Sequence, residues 1–270
     1  MIDIYNFLNQ INPETNLDSS TTWKPSHEGR DSECNTYKAN HFILQNAKIK
    51  KALEKIETNS KKSGKNILEL FGPGIYIDPK KTFYKLSNGG FSKDRVTGFV
   101  QKSKSHLEIE KRLKNIEFEN VNCLDIKEFR RAILLKDNNF DLIICNPIGL
   151  LSFDDLNTSF ETFASTSYLF LKSVYDKLNR EGIFMTQIPI HDGNDGFIGL
   201  DTLIDNYKFS ERPIAEFNQK FYTFLKDEYS KVGITLVYDN TFNSMGIIKG
   251  KNAPKKLPKI DISNFLKTIQ

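Results

Sequence analysis

Apolar residues near the start of the chain recur at helical spacing. In Ile4–Ile11 they stand at positions 4, 7, 8 and 11, which predicts a short amphipathic helix, and Tyr37–Ile56 shows a second helical pattern. About two dozen polar residues separate the two patterns and hold the only tryptophan, Trp23. A polar stretch of that length inside a compact domain is either mobile or functional.

From residue 66 onward the pattern changes to short apolar runs that alternate with helical ones. Strands are predicted at Asn66–Leu70, Arg95–Val100, Glu119–Leu124, Phe140–Cys145 and Gly182–Ile188. Helices are predicted from Ser105 through about Arg112, from the capping residue Asp125 through Leu135, and over Ser159–Leu178. Strand and helix in this rhythm predict a parallel sheet that is covered on both faces.

The last part of the pattern differs from this rhythm. Two helical segments, Gly199–Tyr207 and Ile214–Lys226, precede two strands at Val232–Tyr238 and Met245–Lys249. The linker between those strands is too short for a helical crossover, so they predict an antiparallel hairpin. The fold class is therefore α/β: a Rossmann-like three-layer sandwich with N-terminal helices and a mostly parallel sheet that ends in an antiparallel hairpin.

The same pattern divides the chain into three parts. Residues 1–60 form an N-terminal helical extension with a polar loop, residues 61–250 a Rossmann-like domain, and residues 251–270 a basic C-terminal tail with a short helix. At 270 residues, 39% of them hydrophobic, the chain is long enough to bury a three-layer core.

Cysteine usage and hydropathy indicate the compartment. The three cysteines contain no C-x-x-C pair, which fits a reducing cytoplasm and argues against a disulfide framework or a zinc site. No run approaches the ~20 apolar residues of a membrane span, and the first residues lack the basic region of a secretory signal. We predict a cytoplasmic protein with no metal site and no membrane partner.

The net charge of +4 is mild, but lysines crowd residues 48–65 and 249–259. A basic arm for nucleic acid is one interpretation. The preferred one is a solvated helix face and a solvated tail, because the aromatic residues are not interleaved with the basic runs as a base-stacking surface requires. Nucleic acid is therefore not the expected partner, and a homo-oligomer is expected by default.

Ligands of an open parallel sheet bind outside the carboxyl ends of its strands, so the residues that follow each strand are the candidate site. After the first strand comes Glu69-Leu-Phe71-Gly72-Pro73-Gly74, whose paired glycines let the backbone approach a ligand closely. A tight turn with no ligand is the alternative interpretation of this loop.

Two further strand ends carry candidate residues. The fourth strand is followed by Asn146-Pro147-Ile148-Gly149, in which the proline fixes the turn, and the fifth ends in Gln187-Ile-Pro189-Ile-His191. His191 has the ordinary pKa of a general base, although a structural histidine is the alternative.

In this order the motifs resemble those of class I S-adenosylmethionine-dependent methyltransferases. The loop from Glu69 to Gly74 is similar to the family's glycine-rich loop, Asp125 stands where the family often has an acidic residue near the adenine, and Phe140–Pro147 resembles its fourth-strand motif. Leu178–Gly182 and the closing hairpin resemble its last strands. The resemblance covers residues 66–249 and implies S-adenosylmethionine as the cofactor, bound by Glu69, Phe71, Gly72, Pro73, Gly74, Leu124, Asp125, Asn146 and Pro147.

One position departs from that family. The acidic residue that usually binds the ribose hydroxyls at the end of the second strand is replaced here by Val100-Gln101-Lys102, where Gln101 is the only plausible substitute. This departure motivates the alternative that the chain is a non-catalytic binding protein with the methyltransferase fold.

The motif Asn146-Pro147-Ile148-Gly149 separates the possible acceptors. Methyltransferases acting on amino nitrogens of nucleic acid or protein carry Asn-Pro-Pro-aromatic there, and Ile148 and Gly149 remove the stacking surface, so that class is the alternative. Length, Lys/Ile/Asn-rich composition, the loop G-P-G-I-Y-I-D-P and the segment around Trp23 resemble the archaeal pyridinol C-methyltransferases of iron-guanylylpyridinol cofactor biosynthesis in methanogens. This resemblance implies a small aromatic acid as substrate, with Trp23, Ile148, Gln187, Pro189 and His191 as its predicted contacts and no identified catalytic residue.

Overall fold

A computed structural model describes a large part of the chain. The described residues are 46–60, 62–70, 94–100, 102, 107, 110–111, 115–123, 125–145, 151, 160–188, 212–239 and 244–269, and within them the side chains of 161, 187, 212–215, 268 and 269 are not described. The predicted helices at Ile4–Ile11 and Gly199–Tyr207, and residues 37–45 of the second predicted helix, lie outside these ranges.

The described elements follow the predicted alternation of strands and helices. The helices are α1 (Ala47–Ser60), α2 (Ile126–Leu134), α3 (Phe160–Asp176), α4 (Arg212–Ser230) and α5 (Ser263–Ile269). The strands are β1 (Asn66–Leu70), β2 (Arg95–Val100), β3 (Ile116–Asn120), β4 (Phe140–Cys145), β5 (Leu178–Gln187), β6 (Ile234–Asp239) and β7 (Ser244–Lys249).

The strands form one seven-stranded sheet in the order β3-β2-β1-β4-β5-β7-β6. The first five strands pair in parallel, whereas β7 pairs antiparallel with both β5 and β6. The predicted α/β class, the parallel sheet and the antiparallel hairpin are therefore confirmed.

Both faces of the sheet are covered, which explains why β1 and β4 are almost continuously apolar. On one face, Ile49 and Ile56 of α1 pack against inward residues such as Ile67 and Ile144. The other face carries the larger core cluster, to which α2, α3, α4 and α5 contribute, including Phe265 of the last helix. The described helices thus sandwich the sheet.

The third strand begins and ends three to four residues earlier than predicted. Ile116 and Phe118 are its buried positions, and Asn120 pairs with Val100 at the end of β2. The predicted third strand is present, but its predicted end is wrong because Asn122 enters a turn, in which its carbonyl accepts from the Asp125 amide. That turn starts α2, so the backbone there cannot continue the ladder.

The fifth strand begins at Leu178, four residues before the predicted start. Its first part contains an irregular register opposite Phe140 and Leu142, and Glu181 has a φ of 67°. A side chain at such a φ is uncommon, and no apolar alternation marks this part of the strand. The hydropathy pattern therefore finds only the regular half, which follows Gly182.

The lysine-rich end of the chain is solvated only in part. Lys249 is 5% exposed, and the apolar residues Leu257, Ile260 and Phe265 are buried in or on the main core. The other lysines of the run, Lys251, Lys255, Lys256 and Lys259, are exposed as expected. The expectation of a solvated tail is therefore wrong for Lys249 and for the apolar residues between the lysines, which pack onto α3 and α4. In the described part of the chain, no helix combines the length and hydropathy needed to cross a membrane.

Candidate functional site

The sheet order changes direction at β1. The chain passes from β1 outward through β2 to β3 and then returns to the opposite side of β1 as β4. At the carboxyl edge, Leu70 pairs with Phe99 of β2 on one side and with Cys145 of β4 on the other. Ligands of open α/β sheets bind at such a switch point, so the ends of β1 and β4 define the candidate site.

Glu69 lies at this switch point. It is fully buried in β1, opposite Gly98 of β2 and Ile144 of β4, and directly precedes the last residue of the strand. Carboxylates are almost never buried completely unless other groups interact with them. Its position is the one the sequence predicts for a cofactor-loop residue.

The thiol beside this carboxylate is inert. Cys145 ends β4 and is fully buried, and burial, the largest cause, raises the pKa of its thiol well above the usual value. A hydrogen bond with the Thr186 side chain lowers the pKa, while the charge of Glu69 raises it. Because a thiolate is the reactive form, Cys145 is a packing residue rather than a nucleophile.

The end of β2 carries a cation that is already paired. The Lys102 ammonium donates to Glu110 Oε1 at 3.0 Å and to the Phe118 carbonyl at 2.9 Å, and its amide donates to Asn120 Oδ1 at 3.0 Å. These partners direct the lysine toward β3. Lys102 therefore adds no unpaired positive charge at the predicted ribose position.

Asp125 is an N-cap, as the sequence predicts. Its Oδ1 accepts from the amides of Lys127 and Glu128 at 2.8 and 3.1 Å, while Glu128 Oε1 accepts from the Asn122 amide at 2.8 Å. Such a cap is worth about 1 kcal/mol. The capping role is confirmed, and the predicted role near an adenine remains a prediction.

Most of the predicted site residues cannot be compared with the structure. Those outside the described residues are Trp23, Phe71, Gly72, Pro73, Gly74, Gln101, Leu124, Asn146, Pro147, Ile148, Pro189 and His191. Gln187 is described as the last residue of β5, without its side chain. The structure thus brings Glu69 to the edge of the sheet that Gln187 also reaches.

Two residues at this edge have no counterpart among the sequence predictions. The Tyr222 hydroxyl of α4 donates to the Leu151 carbonyl at 2.6 Å, just after the segment that follows β4. Ser244 begins β7 opposite Gln187, and within the described ranges its buried hydroxyl has no hydrogen-bond partner. Neither residue stands in a motif, and helical or strand periodicity marks them only as core.

Metal ligation has no support in the described part of the chain. There, no group of three His, Cys, Asp or Glu side chains is arranged to hold an ion. At the carboxyl edge, the described residues instead place one buried carboxyl group, that of Glu69, directly before the last residue of β1.

No protein-family model and no curated protein matches the chain. Solved structures that match the chain include the MycE methyltransferase of the mycinamycin biosynthetic pathway with Mg and SAH (12% identity, 86% of this chain, 58% of that chain, TM-score 0.46). The CurJ carbon methyltransferase is 12% identical over 80% of this chain and 58% of that one, with a TM-score of 0.41. An O-methyltransferase family protein from Burkholderia thailandensis is 9% identical over 76% and 56%, with a TM-score of 0.38. The chain therefore spans little more than half the length of these proteins, and its own sheet order places it in the Rossmann-like α/β class.

Proposed function

We propose that this chain is an S-adenosylmethionine-dependent methyltransferase whose acceptor is a ring carbon of a small hydroxypyridine acid. The observation that carries the proposal is the sheet: its order reverses at β1, Glu69 is buried at the end of that strand, and antiparallel β7 lies between β5 and β6. The sequence continues from Glu69 into the loop Phe71-Gly72-Pro73-Gly74.

The residues present fit such a cofactor. Glu69 places a buried carboxyl group at the carboxyl edge, and a carboxylate there would favour a ligand with a sulfonium cation. The Lys102 ammonium pairs with Glu110, so it does not oppose that cation. When bound, the cofactor would supply an electrophilic methyl group. The residues after β1, together with Asp125, Asn146 and Pro147, would hold it.

The chain's part in the reaction is mainly orientation. An ionised ring hydroxyl makes the ring carbon nucleophilic, so this carbon would take the methyl group from the sulfonium with release of S-adenosylhomocysteine, and would then lose its proton to the ring oxygen or to water. The protein would mainly need to align the acceptor with the methyl group and exclude water from the sulfonium. Alignment of this kind can supply about 7–11 kcal/mol of the barrier. The buried, protonated Cys145 agrees with a mechanism that uses no cysteine nucleophile.

A calorimetric titration of the full chain with S-adenosylhomocysteine tests the cofactor. We expect micromolar binding in the wild type and its loss in Gly74→Asp, with a reduction of about tenfold or more in Glu69→Gln, which keeps the side-chain shape and removes its charge. Lys172→Met, at a partly exposed position of α3, is the control and should bind S-adenosylhomocysteine as the wild type does. No binding to the wild type would favour the non-catalytic alternative.

The acceptor needs a separate test. Incubating the protein with cofactor and a hydroxypyridine carboxylic acid should add the mass of one methyl group to the pyridine ring. An intact cofactor pool under these conditions would remove the pyridinol assignment while leaving the cofactor result in place. Salt-dependent binding of RNA or DNA would instead favour the amino-nitrogen alternative.

A further inference from the structure

The buried ammonium of Lys249 lies among backbone carbonyls. It donates to the carbonyls of Tyr175 at 3.0 Å, Leu178 at 2.9 Å and Lys255 at 2.8 Å, so each of its three N–H groups has an acceptor. The same nitrogen lies 4.6 Å from the centroid of the Tyr175 ring, within the range of a cation–π contact. One cation is thus bound by three carbonyl oxygens and one aromatic ring.

The three carbonyls come from three parts of the fold. Tyr175 lies in the last turn of α3, and Leu178 begins β5. Lys255 belongs to the residues that follow β7, here called the C-terminal segment (residues 250–269), which ends in α5. Lys249 is itself the last residue of β7. The ammonium therefore joins the C-terminal segment to the sheet and to α3 at one point.

Two further hydrogen bonds hold the segment at the same end of α3. The Tyr175 hydroxyl donates to the Pro254 carbonyl at 2.7 Å, and Asp176 Oδ1 accepts from the Leu257 amide at 2.8 Å. Tyr175 and Asp176 are consecutive residues, and the first of them also supplies a carbonyl to the ammonium. The contacts that fix the start of the segment therefore converge on one helical turn.

Farther along the segment, α5 packs into an aromatic part of the core. Phe265 is 2% exposed, and its ring centroid lies 5.5 Å from that of Phe160 at the start of α3. The centroid of Phe221 in α4 is 5.4 Å away. A docked C-terminal segment therefore bridges α3 and α4. Elements of this kind, at a chain terminus and packed on a folded core, can open without unfolding the rest.

We propose that the Lys249 ammonium controls the docking of the C-terminal segment: it is a tethered cation in a three-carbonyl site, and its loss releases residues 250–269 while the sheet stays folded. Filling of space does not account for the ammonium, because an apolar side chain of similar length fills the same volume without the cost of burying a charge. Backbone carbonyls bind monovalent cations in channel filters, and here they bind one that the chain supplies. This inference does not depend on the proposed methyl transfer.

Hydrogen–deuterium exchange of Lys249→Ala tests the release. The amides of Leu257 and Leu266, which are both hydrogen-bonded in the folded protein, should exchange at close to the rate of an unstructured peptide. Amides of β4 should stay slower than that rate by about a hundredfold or more. Protection of the segment as in the wild type, or loss of protection in β4 to the same extent, would overturn the inference.

Tyr175→Phe is the matched control for this experiment. It removes the hydroxyl bond to Pro254 and keeps the ring and the three carbonyls that bind the ammonium. The amide of Leu266 should therefore stay protected as in the wild type. Release of the segment in Tyr175→Phe would mean that the hydroxyl and not the cation controls docking, and would overturn the inference.

Chemical rescue separates the cation from the side-chain stem. Lys249→Ala keeps Cβ and lacks three methylenes and the nitrogen, which together have the shape of n-propylammonium. Adding this ion at about 50 mM should slow exchange of the Leu257 amide by about threefold or more, and 1-propanol or tetramethylammonium at the same concentration should not. Equal rescue by 1-propanol, or no rescue by n-propylammonium, would overturn the inference.

If Lys249→Ala does not fold, the wild-type protein still tests the inference. Reductive methylation should leave Lys249 unlabelled while it labels the exposed lysines of the same run, Lys251, Lys255, Lys256 and Lys259. In urea, Lys249 should become labelled below the midpoint at which the sheet unfolds, as measured by far-UV circular dichroism. Labelling of Lys249 without urea at the rate of Lys251, or only together with loss of the sheet, would overturn the inference.

Discussion

A buried ion pair ties the starts of β1 and β2 together, and its removal tests how the sheet is stabilised. Lys65 precedes β1 and Asp94 precedes β2, with side chains 3% and 1% exposed. The Lys65 ammonium lies 3.1 Å from Asp94 Oδ2, an ion-pair contact outside hydrogen-bond angles, and 3.0 Å from Glu57 Oε1. Asp94 Oδ1 accepts from the Lys65 amide at 2.8 Å.

Lys65→Met and Asp94→Asn should lower the free energy of unfolding by different amounts. Lys65→Met keeps the apolar stem but leaves the Asp94 carboxylate without its counterion, which costs about 3–5 kcal/mol of unfolding free energy. Asp94→Asn keeps an acceptor for the amide, and Lys65 keeps Glu57 as a partner, so we expect a smaller loss of about 1–3 kcal/mol. In the double variant both charges are gone, and it should be more stable than the sum of the single losses predicts, by about 1 kcal/mol or more.

Urea unfolding of the four proteins measures this cycle, provided that the m-values agree. Lys172→Met is the matched control, because Lys172 pairs with Asp176 on the surface of α3, where its side chain is 25% exposed, and such pairs contribute about 0–1 kcal/mol. The reasoning is refuted if Lys65→Met costs no more than the control, or if the two single effects add without coupling.

Three further substitutions test other features of the fold. Glu181 has a φ of 67°, and its only ion pair among the described residues is with the exposed Lys55. Glu181→Gly should therefore leave the free energy of unfolding unchanged or raise it by about 1 kcal/mol, and a clear fall in the melting temperature would contradict this. The buried Lys249 ammonium donates to three backbone carbonyls and lies 4.6 Å from the Tyr175 ring centroid, so Lys249→Met should cost about 2–4 kcal/mol in urea unfolding at pH 7. Burial lowers the pKa of Lys249, so between that pKa and 10.5 the folded protein binds fewer protons than the unfolded chain. The free energy of unfolding of the wild type should therefore rise with pH in this range, and its difference from that of Lys249→Met should grow. Ser244→Ala should raise stability by about 1 kcal/mol, because the substitution removes a buried hydroxyl that has no partner among the described residues; a loss of stability would contradict this.

The fold could be predicted because its strands are buried on both faces. Runs such as Ile67-Leu68 and Leu142–Cys145 are apolar at every position that the layers cover, and hydropathy reports that burial directly. The predicted strand bounds are wrong where the backbone conformation does not depend on burial of apolar side chains. The turn at Asn122 and the irregular start of β5 depend on hydrogen bonds and on register with neighbouring strands, which a local pattern does not contain.

Lys249 belongs to a lysine-rich run but is buried in the sheet. It was expected on a solvated tail, yet it shares a face of β7 with Met245 and Ile247, which are both fully buried. Residues two apart on a strand face the same way, so this alternation was a usable signal for an inward lysine. For Tyr222 no such signal exists, because its partner Leu151 is brought near only by the tertiary fold.

The buried polar groups at the two edges of the sheet have different partners. We expect those at the amino edge to contribute to stability and those at the carboxyl edge to contribute to function. At the amino edge, the buried Lys249 ammonium donates to three backbone carbonyls and the buried Lys65 ammonium lies beside two carboxylates, an arrangement that suits a structural role. At the carboxyl edge, Glu69 is buried next to the switch point, and the Tyr222 hydroxyl donates to the backbone carbonyl of Leu151. Substitutions at the amino edge should therefore lower the urea midpoint while leaving the affinity for S-adenosylhomocysteine in the remaining folded protein unchanged. If Lys65→Met weakened that affinity in proportion to its loss of stability, the candidate site would depend on the whole sheet, and a defect in Glu69→Gln could not be assigned to the carboxyl edge.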